Sequence, residues 1–284
     1  MKRSAMLPEP NIGAKQSGSG HAEVLIAVLK ELTGITIPPQ KTTMVMSRLR
    51  KRLAQLNHPH LPDYAAHVRC DRAEQQVFIN LLTTNETSFF RTPRVWKYFR
   101  EQYLPEFQQS KGSDVLRIWS AAASTGEEAF SIAMTCNDHQ LRHRSFRYQV
   151  LATDVDTEVL AKAKSGQLGT RTVEKLRETN PEMFYRYFKA GNSGSPEANA
   201  ELLRNIQFAR HNLLERLQPH MWQDVVFLRN ALIYFRETEQ IKILEQVALS
   251  MRVGATLILG ESEAIGALDT PFKFIQPQIY RKSA

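Results

Sequence analysis

Apolar and polar positions alternate in two different ways along this chain. From residue 21 to 84, apolar residues recur every three or four positions, with breaks at Gly34 and Pro38-Pro39, which predicts a bundle of helices. From about residue 114, short apolar runs alternate with amphipathic segments, which is typical of a parallel sheet covered by helices. We therefore expect an α/β fold preceded by an all-α domain.

The predicted strands lie at 115–119, 147–153, 224–228 and 255–259, with a helix at 238–251 between the last two. Ile275 and Ile279-Tyr280 flank Pro277 and predict a final antiparallel pair. The alternation fails between 166 and 211. There, 191–196 is rich in turn-forming residues, and 207–210 is strand-like.

Length and composition limit the organisation of the protein. The 284 residues suffice for one large or two moderate domains. We place a disordered segment at 1–20, a helical domain at 21–84, a linker and connecting helix at 85–112, and an α/β domain at 113–284. No apolar run approaches the ~20 residues that span a bilayer, so we expect a soluble cytoplasmic protein without membrane insertion.

The cysteines, the histidines and the net charge each give a further expectation. Cys70 and Cys136 are predicted to be buried, reduced residues, and the eight histidines lack ligand spacing, so we predict no metal. There are 37 basic and 29 acidic residues, a net charge of +8, which favours acidic partners. The densest basic cluster lies on a predicted amphipathic helix and comprises Arg48, Arg50, Lys51 and Arg52. Its alternative interpretation is a solvated face whose apolar stripe packs on neighbouring helices.

The most informative segment is the turn Ser120 to Gly126, followed by Glu127 and Glu128. It lies between a predicted strand and a predicted helix. Small residues at such a turn let the backbone approach a ligand closely. A phosphate-binding loop would use Gly and Lys, whereas two carboxylates suit a ligand with a cationic amine, such as S-adenosylmethionine (SAM). Taken alone, an ordinary tight turn is an equally good interpretation.

The second predicted strand, Tyr148 to Asp154, ends in an acid. In nucleotide-binding α/β sheets, an acid at about this spacing accepts hydrogen bonds from the ribose hydroxyls. Asp154 is therefore the candidate ribose ligand. Asp156 fits better as the N-cap of the following helix.

Five segments, in order, resemble the successive motifs of the CheR chemotaxis methyltransferases. They are Asn85 to Arg91, Trp119 to Glu128, Ala152 to Asp156, Asn212 to Leu214, and Arg229 to Phe235. The resemblance covers the chain from about residue 20 to its end. It implies a Rossmann-like SAM-dependent methyltransferase fold with a mostly parallel sheet, an all-α N-terminal domain and a small β-subdomain at about 170–211. It also implies methyl transfer from SAM to glutamate side chains of chemoreceptors, giving glutamyl methyl ester and S-adenosylhomocysteine (SAH).

The resemblance further implies roles for single residues. Cofactor-binding positions are matched by Asn85, Thr87, Arg91, Glu128, Asp154, Asn212, Leu213, Arg229 and Asn230. Glu128 matches the acid that holds the methionine end of SAM, with Glu127 a less favoured substitute. Tyr234 matches a tyrosine near the reacting centre, and Arg91 is the candidate clamp for the substrate carboxylate because guanidinium binds carboxylate bidentately. One departure is Ala129-Phe130-Ser131, where the family usually has Pro-Tyr-Ser.

Two other functions are open at this point. A nucleic-acid methyltransferase is suggested by the basic charge, but amino-methylating enzymes of that kind usually carry Asn/Asp-Pro-Pro-aromatic where this chain has Arg229 to Leu232. A non-catalytic SAM-binding regulator is the other.

We expect a monomer that binds no nucleic acid. The expected partner is the cytoplasmic domain of chemoreceptors, whose acidic helices would dock on the basic helix.

Overall fold

The computed structural model describes residues 18–58, 60–112, 114–191, 196–217 and 222–283. Two compact units are distinguished, one formed by residues up to 32 together with 36–82, the other by 33–35 and residues from 83 onward. The predicted disordered segment 1–20 falls outside the described residues except for 18–20, which begin the first helix.

The first unit is all-helical, as predicted. Its helices are α1 (Gly18–Thr33), α2 (Thr42–Gln55), α3 (Leu61–Cys70) and α4 (Arg72–Leu82). Asp71 begins α4 by accepting hydrogen bonds from the backbone N–H groups of Ala73 (2.8 Å) and Glu74 (3.3 Å). The prediction that both cysteines are buried is wrong for Cys70, which is exposed at the last residue of α3.

The basic residues of α2 differ in what they contact. Arg48 donates from Nη1 to the carbonyl oxygen of Leu82 at 3.0 Å. Arg52 forms an ion pair with the buried Glu74, whose Oε1 lies 3.0 Å from the arginine Nε. Arg50 and Lys51 are exposed. Half of the basic cluster therefore stabilises the helical unit itself, and half faces solvent.

The second unit contains a seven-stranded sheet in the order β5-β2-β1-β6-β7-β9-β8. Its strands are β1 (Val115–Ala121), β2 (Arg147–Asp154), β5 (Ile206–Arg210), β6 (Gln223–Leu228), β7 (Met251–Leu259), β8 (Phe272–Gln276) and β9 (Ile279–Lys282). The pairs among β5, β2, β1, β6 and β7 are parallel, while β9 is antiparallel to both β7 and β8. The mostly parallel sheet and its antiparallel ending are as predicted.

Helices cover both faces of this sheet. They are α5 (Pro93–Tyr98), α6 (Leu104–Lys111), α7 (Glu127–Arg142), α8 (Thr157–Ser165), α9 (Thr170–Thr179), α10 (Pro181–Tyr187), α11 (Ala200–Leu203) and α12 (Glu237–Leu249). Successive strand residues point to opposite faces. Ile118 packs in the cluster that contains α7, and its neighbour Trp119 packs in the cluster that contains α12. Two cores result, which is why the strands are apolar throughout.

The predicted β-subdomain at about 170–211 is a two-stranded antiparallel ribbon set among helices. Its strands are β3 (Phe188–Ala190) and β4 (Pro196–Ala198), and the loop 192–195 between them lies outside the described residues. The strand predicted at 207–210 exists as β5, but it pairs with β2 at the edge of the main sheet. Ile206 and Phe208 pack against the large core there, which makes this strand part of the main α/β sheet. In the described part of the chain, no helix is long and apolar enough to cross a membrane.

Candidate functional site

The candidate site is built on the carboxyl ends of three neighbouring strands, β2, β1 and β6. In open α/β sheets, ligands bind outside the carboxyl ends of the strands, because the loops from adjacent parallel strands meet there. Most of the residues singled out from the sequence lie on these loops or on the linker at 85–91. The site therefore follows from the order of the strands.

The turn after β1 has an unusual backbone. Ala122, Ser124 and Gly126 have positive φ angles of 65°, 51° and 96°. A Cβ at Gly126 would lie 2.8 Å from the ring of Phe130 and 3.0 Å from Ala163, so only glycine fits. The glycine at this position is thus required by the shape of the turn itself.

Asp154 ends β2 and is buried. Its Oδ2 accepts the backbone N–H of Ser124 at 2.8 Å, and its Oδ1 accepts that of Asp156 at 3.0 Å. Burial raises the pKa of the Asp154 carboxyl to about 6. The backbone N–H of Val155 also stabilises this carboxylate, which has about four acceptor positions, so about one remains for a ligand. Asp156 caps α8 through the N–H groups of Glu158 and Val159, and the predicted division of roles between the two acids is consistent with this geometry.

The linker residue Asn85 is fastened to the same two loops. Its Nδ2 donates to Oδ2 of Asp156 at 2.7 Å, and its carbonyl oxygen accepts the hydroxyl of Ser124 at 2.9 Å. Thr83 donates to the same Asp156 oxygen at 2.8 Å. The side-chain amide of Asn85 therefore holds the linker in place, and Thr87 lies two residues further on, half-buried.

Glu128 and Arg229 form a buried ion pair at the centre of the site. The Glu128 carboxylate accepts the hydroxyl of Ser120 at 2.7 Å and Nη1 of Arg229 at 3.0 Å. Nη2 of Arg229 donates to the carbonyl oxygen of Arg91 at 2.7 Å, while its Nε is buried without a partner among the described residues. Glu127 is also buried and accepts the hydroxyls of Thr125 and Thr172. It therefore supports the turn, and Glu128 is the acid placed among the other candidates.

Arg91 and Tyr234, the two candidate catalytic residues, are less buried than the cofactor candidates. The Arg91 side chain is exposed and makes no ion pair within the described residues. Tyr234 is half-buried, and burial together with the charge of Glu86 raises the pKa of its hydroxyl, while the charge of Arg91 opposes that rise. The two side chains are thus close enough to interact electrostatically.

Asn212 and Leu213 follow β5. The backbone N–H of His211 donates to the carbonyl oxygen of Asp154 at 2.9 Å, which brings this segment beside the candidate ribose ligand. The Asn212 side chain accepts the N–H of Leu214 at 3.1 Å, in a turn. Residues 213–217 form no helix, so Asn212 shapes a turn here and does not cap a helix.

Glu263 is a site residue that the sequence analysis missed. Its carboxylate is buried and accepts the backbone N–H groups of Asn230, Leu232 and Gly260, each at 2.7 Å. Burial raises the pKa of this carboxyl. The sequence feature that could have identified Glu263 is its position four residues after β7, because the carboxyl end of β7 lies beside that of β6.

This set of groups fits SAM. The remaining acceptor position on Asp154 suits a ribose hydroxyl, and the Glu128 carboxylate suits a cationic amine. The unpartnered Nε of Arg229 is a buried donor that a ligand carboxylate would satisfy. Within the ranges that the structure describes, no group of three or more His, Cys, Asp or Glu side chains could hold a metal ion.

Known proteins are similar to this chain over most of its length. The CheR methyltransferase SAM-binding domain matches residues 85–281, and the CheR methyltransferase all-alpha domain matches residues 21–83. The chemotaxis protein methyltransferase of Salmonella typhimurium is 34% identical over 270 residues, covering 93% of this chain and 90% of the relative. That of Escherichia coli is also 34% identical over 270 residues, covering 93% and 91%. Chemotaxis protein methyltransferase 1 of Pseudomonas aeruginosa is 30% identical over 258 residues, covering 89% and 93%. The chain belongs to the CheR methyltransferase family.

Proposed function

We propose that this SAM-dependent methyltransferase esterifies glutamate side chains of chemoreceptors, giving glutamyl methyl ester and SAH. The relatives named above are chemotaxis protein methyltransferases. The observation that carries the proposal is the exposed guanidinium of Arg91, whose own carbonyl oxygen is bonded to the buried Glu128–Arg229 pair. It offers a cationic clamp for a carboxylate directly beside the cofactor candidates.

The proposed reaction depends more on positioning the two reactants than on proton transfer. A glutamate carboxylate is already ionised near neutral pH, so no strong general base is needed. When bound, SAM supplies an electrophilic methyl group. Arg91 would hold the substrate carboxylate bidentately, and Tyr234, whose raised pKa keeps its hydroxyl protonated, would donate a hydrogen bond to it. Holding the reactants in line accounts for several kcal/mol of the barrier, roughly 7–11 in favourable cases.

The product distinguishes the proposed function from its rivals. The protein would be incubated with tritiated-methyl SAM and with receptor cytoplasmic domains or nucleic acid. Glutamyl methyl esters release volatile tritiated methanol in alkali, whereas methylated bases and amines do not. Alkali-stable label on nucleic acid would favour the nucleic-acid enzyme, and SAM binding without transfer to any receptor would favour the regulator.

The first prediction concerns Asp154. Asp154→Asn should weaken SAH binding about ten- to a hundredfold, because one charge-assisted hydrogen bond contributes roughly 1.5–3 kcal/mol. The parent protein should also lose affinity as pH falls, since the carboxyl has a pKa of about 6 and its ionised form accepts a ribose hydroxyl. Affinity should fall about tenfold from pH 7 to pH 5. Isothermal calorimetry measures both effects.

Asp138→Asn is the matched control for that experiment. Asp138 is also a carboxyl of the second unit whose pKa is raised by burial, but it lies on α7 and pairs with Arg186. Its removal should leave SAH affinity and its pH dependence unchanged. If Asp154→Asn bound SAH as tightly as the parent at pH 7, with the same pH profile, the ribose assignment would be wrong.

The second prediction concerns receptor docking by α2. Arg50 and Lys51 are the exposed members of the basic cluster, whereas reversing Arg48 or Arg52 would break contacts within the helical unit. Arg50→Glu/Lys51→Glu should raise the apparent KM for receptor about tenfold at low salt, because surface charge acts mainly on encounter rate. SAH affinity should be unchanged. The effect should shrink at physiological ionic strength, where the Debye length is about 8 Å.

The control is the same charge change elsewhere. Lys162 and Lys164 are exposed on α8, and Lys162→Glu/Lys164→Glu should alter receptor kinetics much less. Equal effects of the two double variants would show that net charge alone matters. No effect of either variant at low salt would mean that the exposed face of α2 is simply solvated.

A further inference from the structure

Glu263 is positioned to control the loop that follows β6. This loop, 229–234, carries Arg229 and Asn230 on the cofactor side and Tyr234 on the substrate side. Oε2 of Glu263 accepts the N–H of Asn230 and that of Gly260, and Oε1 accepts the N–H of Leu232. One carboxylate thus ties the end of β7 to two points of the site loop. We call these three hydrogen bonds the Glu263 bridge.

The local backbone depends on the Glu263 bridge. Asn230 has a φ of 58°, a left-handed conformation that needs support from its surroundings. Leu232 begins the 3₁₀ turn Leu232–Tyr234, so the hydrogen bond to its N–H fixes the start of the turn that carries Tyr234. A Cβ on Gly260 would lie 2.7 Å from Oε2 of Glu263 and 2.9 Å from the backbone N of Asn230. The absence of a side chain at 260 is therefore what lets the carboxylate approach.

Only an ionised carboxylate satisfies this arrangement. Three N–H groups converge on two oxygens, and a carboxylate is an acceptor at both. Glutamine is nearly the same shape, but it replaces one oxygen with a donor, which would face an N–H. Within the described part of the chain, no cation forms an ion pair with this buried carboxylate, and its charge is balanced by backbone dipoles aimed at it.

We propose that Glu263 is a positioning residue, which holds loop 229–234 in the conformation needed by both the cofactor and the substrate carboxylate. The bridge acts on the cofactor side through Arg229, which directly precedes Asn230 in the loop and bonds to Glu128. The cofactor half of the proposal requires only the SAM-binding domain. The substrate half, through Tyr234, rests on the proposed function.

The test compares Glu263→Gln with Asp224→Asn. Asp224 is a partly buried carboxyl of the same unit, also with a pKa raised by burial, and it accepts the N–H of Arg117 at 3.0 Å. It lies at the opposite, amino-terminal end of β6. Both variants should lose some thermal stability. Amide hydrogen exchange at Asn230, Leu232 and Gly260 should accelerate at least tenfold in Glu263→Gln only.

The functional readouts separate positioning from simple stability. Glu263→Gln should weaken SAH binding about tenfold and lower kcat for receptor methylation at least as much, whereas Asp224→Asn should keep both values. Glu263→Asp, which retains the charge with a shorter reach, should fall between Gln and the parent. Gly260→Ala, which leaves Glu263 unchanged and crowds its oxygen, should show the same pattern and substitutes for Glu263→Gln if that variant does not fold.

Two results would overturn the proposal. One is unchanged exchange at Asn230 and Leu232 in Glu263→Gln, which would show that the bridge does not hold the loop. The other is kinetics and SAH affinity that match Asp224→Asn at equal stability, which would make Glu263 a structural residue only. If the parent protein methylated no receptor, the proposed function would fail, while exchange and SAH calorimetry would still decide whether Glu263 positions the loop.

Discussion

Arg91→Ala should lower kcat for receptor methylation by about a hundredfold or more, while SAH affinity changes little. Removing one preorganised charge-assisted donor from an active site typically costs that much. The carbonyl oxygen of Arg91, which accepts hydrogen bonds from Arg229 and Trp96, is part of the backbone and remains in the variant. The cofactor side of the site should therefore survive. Arg91→Lys should restore little activity, because ammonium lacks the bidentate geometry.

Arg94→Ala is the control, since Arg94 is another exposed arginine three residues along, on α5. It should methylate receptor at the parental rate. Initial rates with saturating SAM and varied receptor give kcat and KM, and calorimetry gives the SAH dissociation constant. Normal receptor kinetics for Arg91→Ala would remove this residue from the mechanism. A parallel loss of SAH affinity would instead assign it to the cofactor site.

Arg229→Met should destabilise the second unit by about 3–5 kcal/mol, because it leaves the Glu128 carboxylate buried without its cation. The side chains of Arg229 and Glu128 are only 2% and 11% exposed, so water replaces the lost partner incompletely. Glu128→Gln/Arg229→Met should recover most of that stability, since no buried charge is left. It should still bind SAH poorly, because the candidate ligand for the cationic amine is gone.

Urea unfolding of the parent, both single variants and the double variant measures the coupling free energy of the pair. A double variant less stable than either single variant, with strictly additive losses, would show that the two side chains do not interact energetically. Retention of tight SAH binding by Glu128→Gln would exclude Glu128 as the amine ligand. The two outcomes are independent, so the structural role and the binding role of the pair are tested separately.

The positions of the strands and the placement of Asp154 at a strand end could be predicted because both depend on local pattern. Strand period and apolar content locate β1, β2, β6 and β7 to within a few residues, and an acid at a strand end is visible in the sequence. The structural role of Asn85 could not be predicted from the sequence in this way. Its amide bonds to Asp156, 71 residues away, and no periodicity reports such a pairing.

The same limit applies to charged residues. Arg48, Arg50, Lys51 and Arg52 look alike in the sequence, but only their position around α2 decides which of them meets Glu74 or the carbonyl of Leu82. Glu263 was missed because its partners are backbone N–H groups, which every residue possesses. The partners of a buried acid are thus invisible to motif reasoning unless they are side chains.

The left-handed backbone at Ala122 and Ser124 has a consequence for how this family varies. At φ angles of 65° and 51°, branched side chains are disfavoured by their own Cβ substituents, whatever the ligand. Gly, Asn and Asp are therefore the residues best tolerated at these two positions. Part of the diagnostic signature of the turn is consequently a record of chain geometry. It would persist even in a descendant that had lost the cofactor.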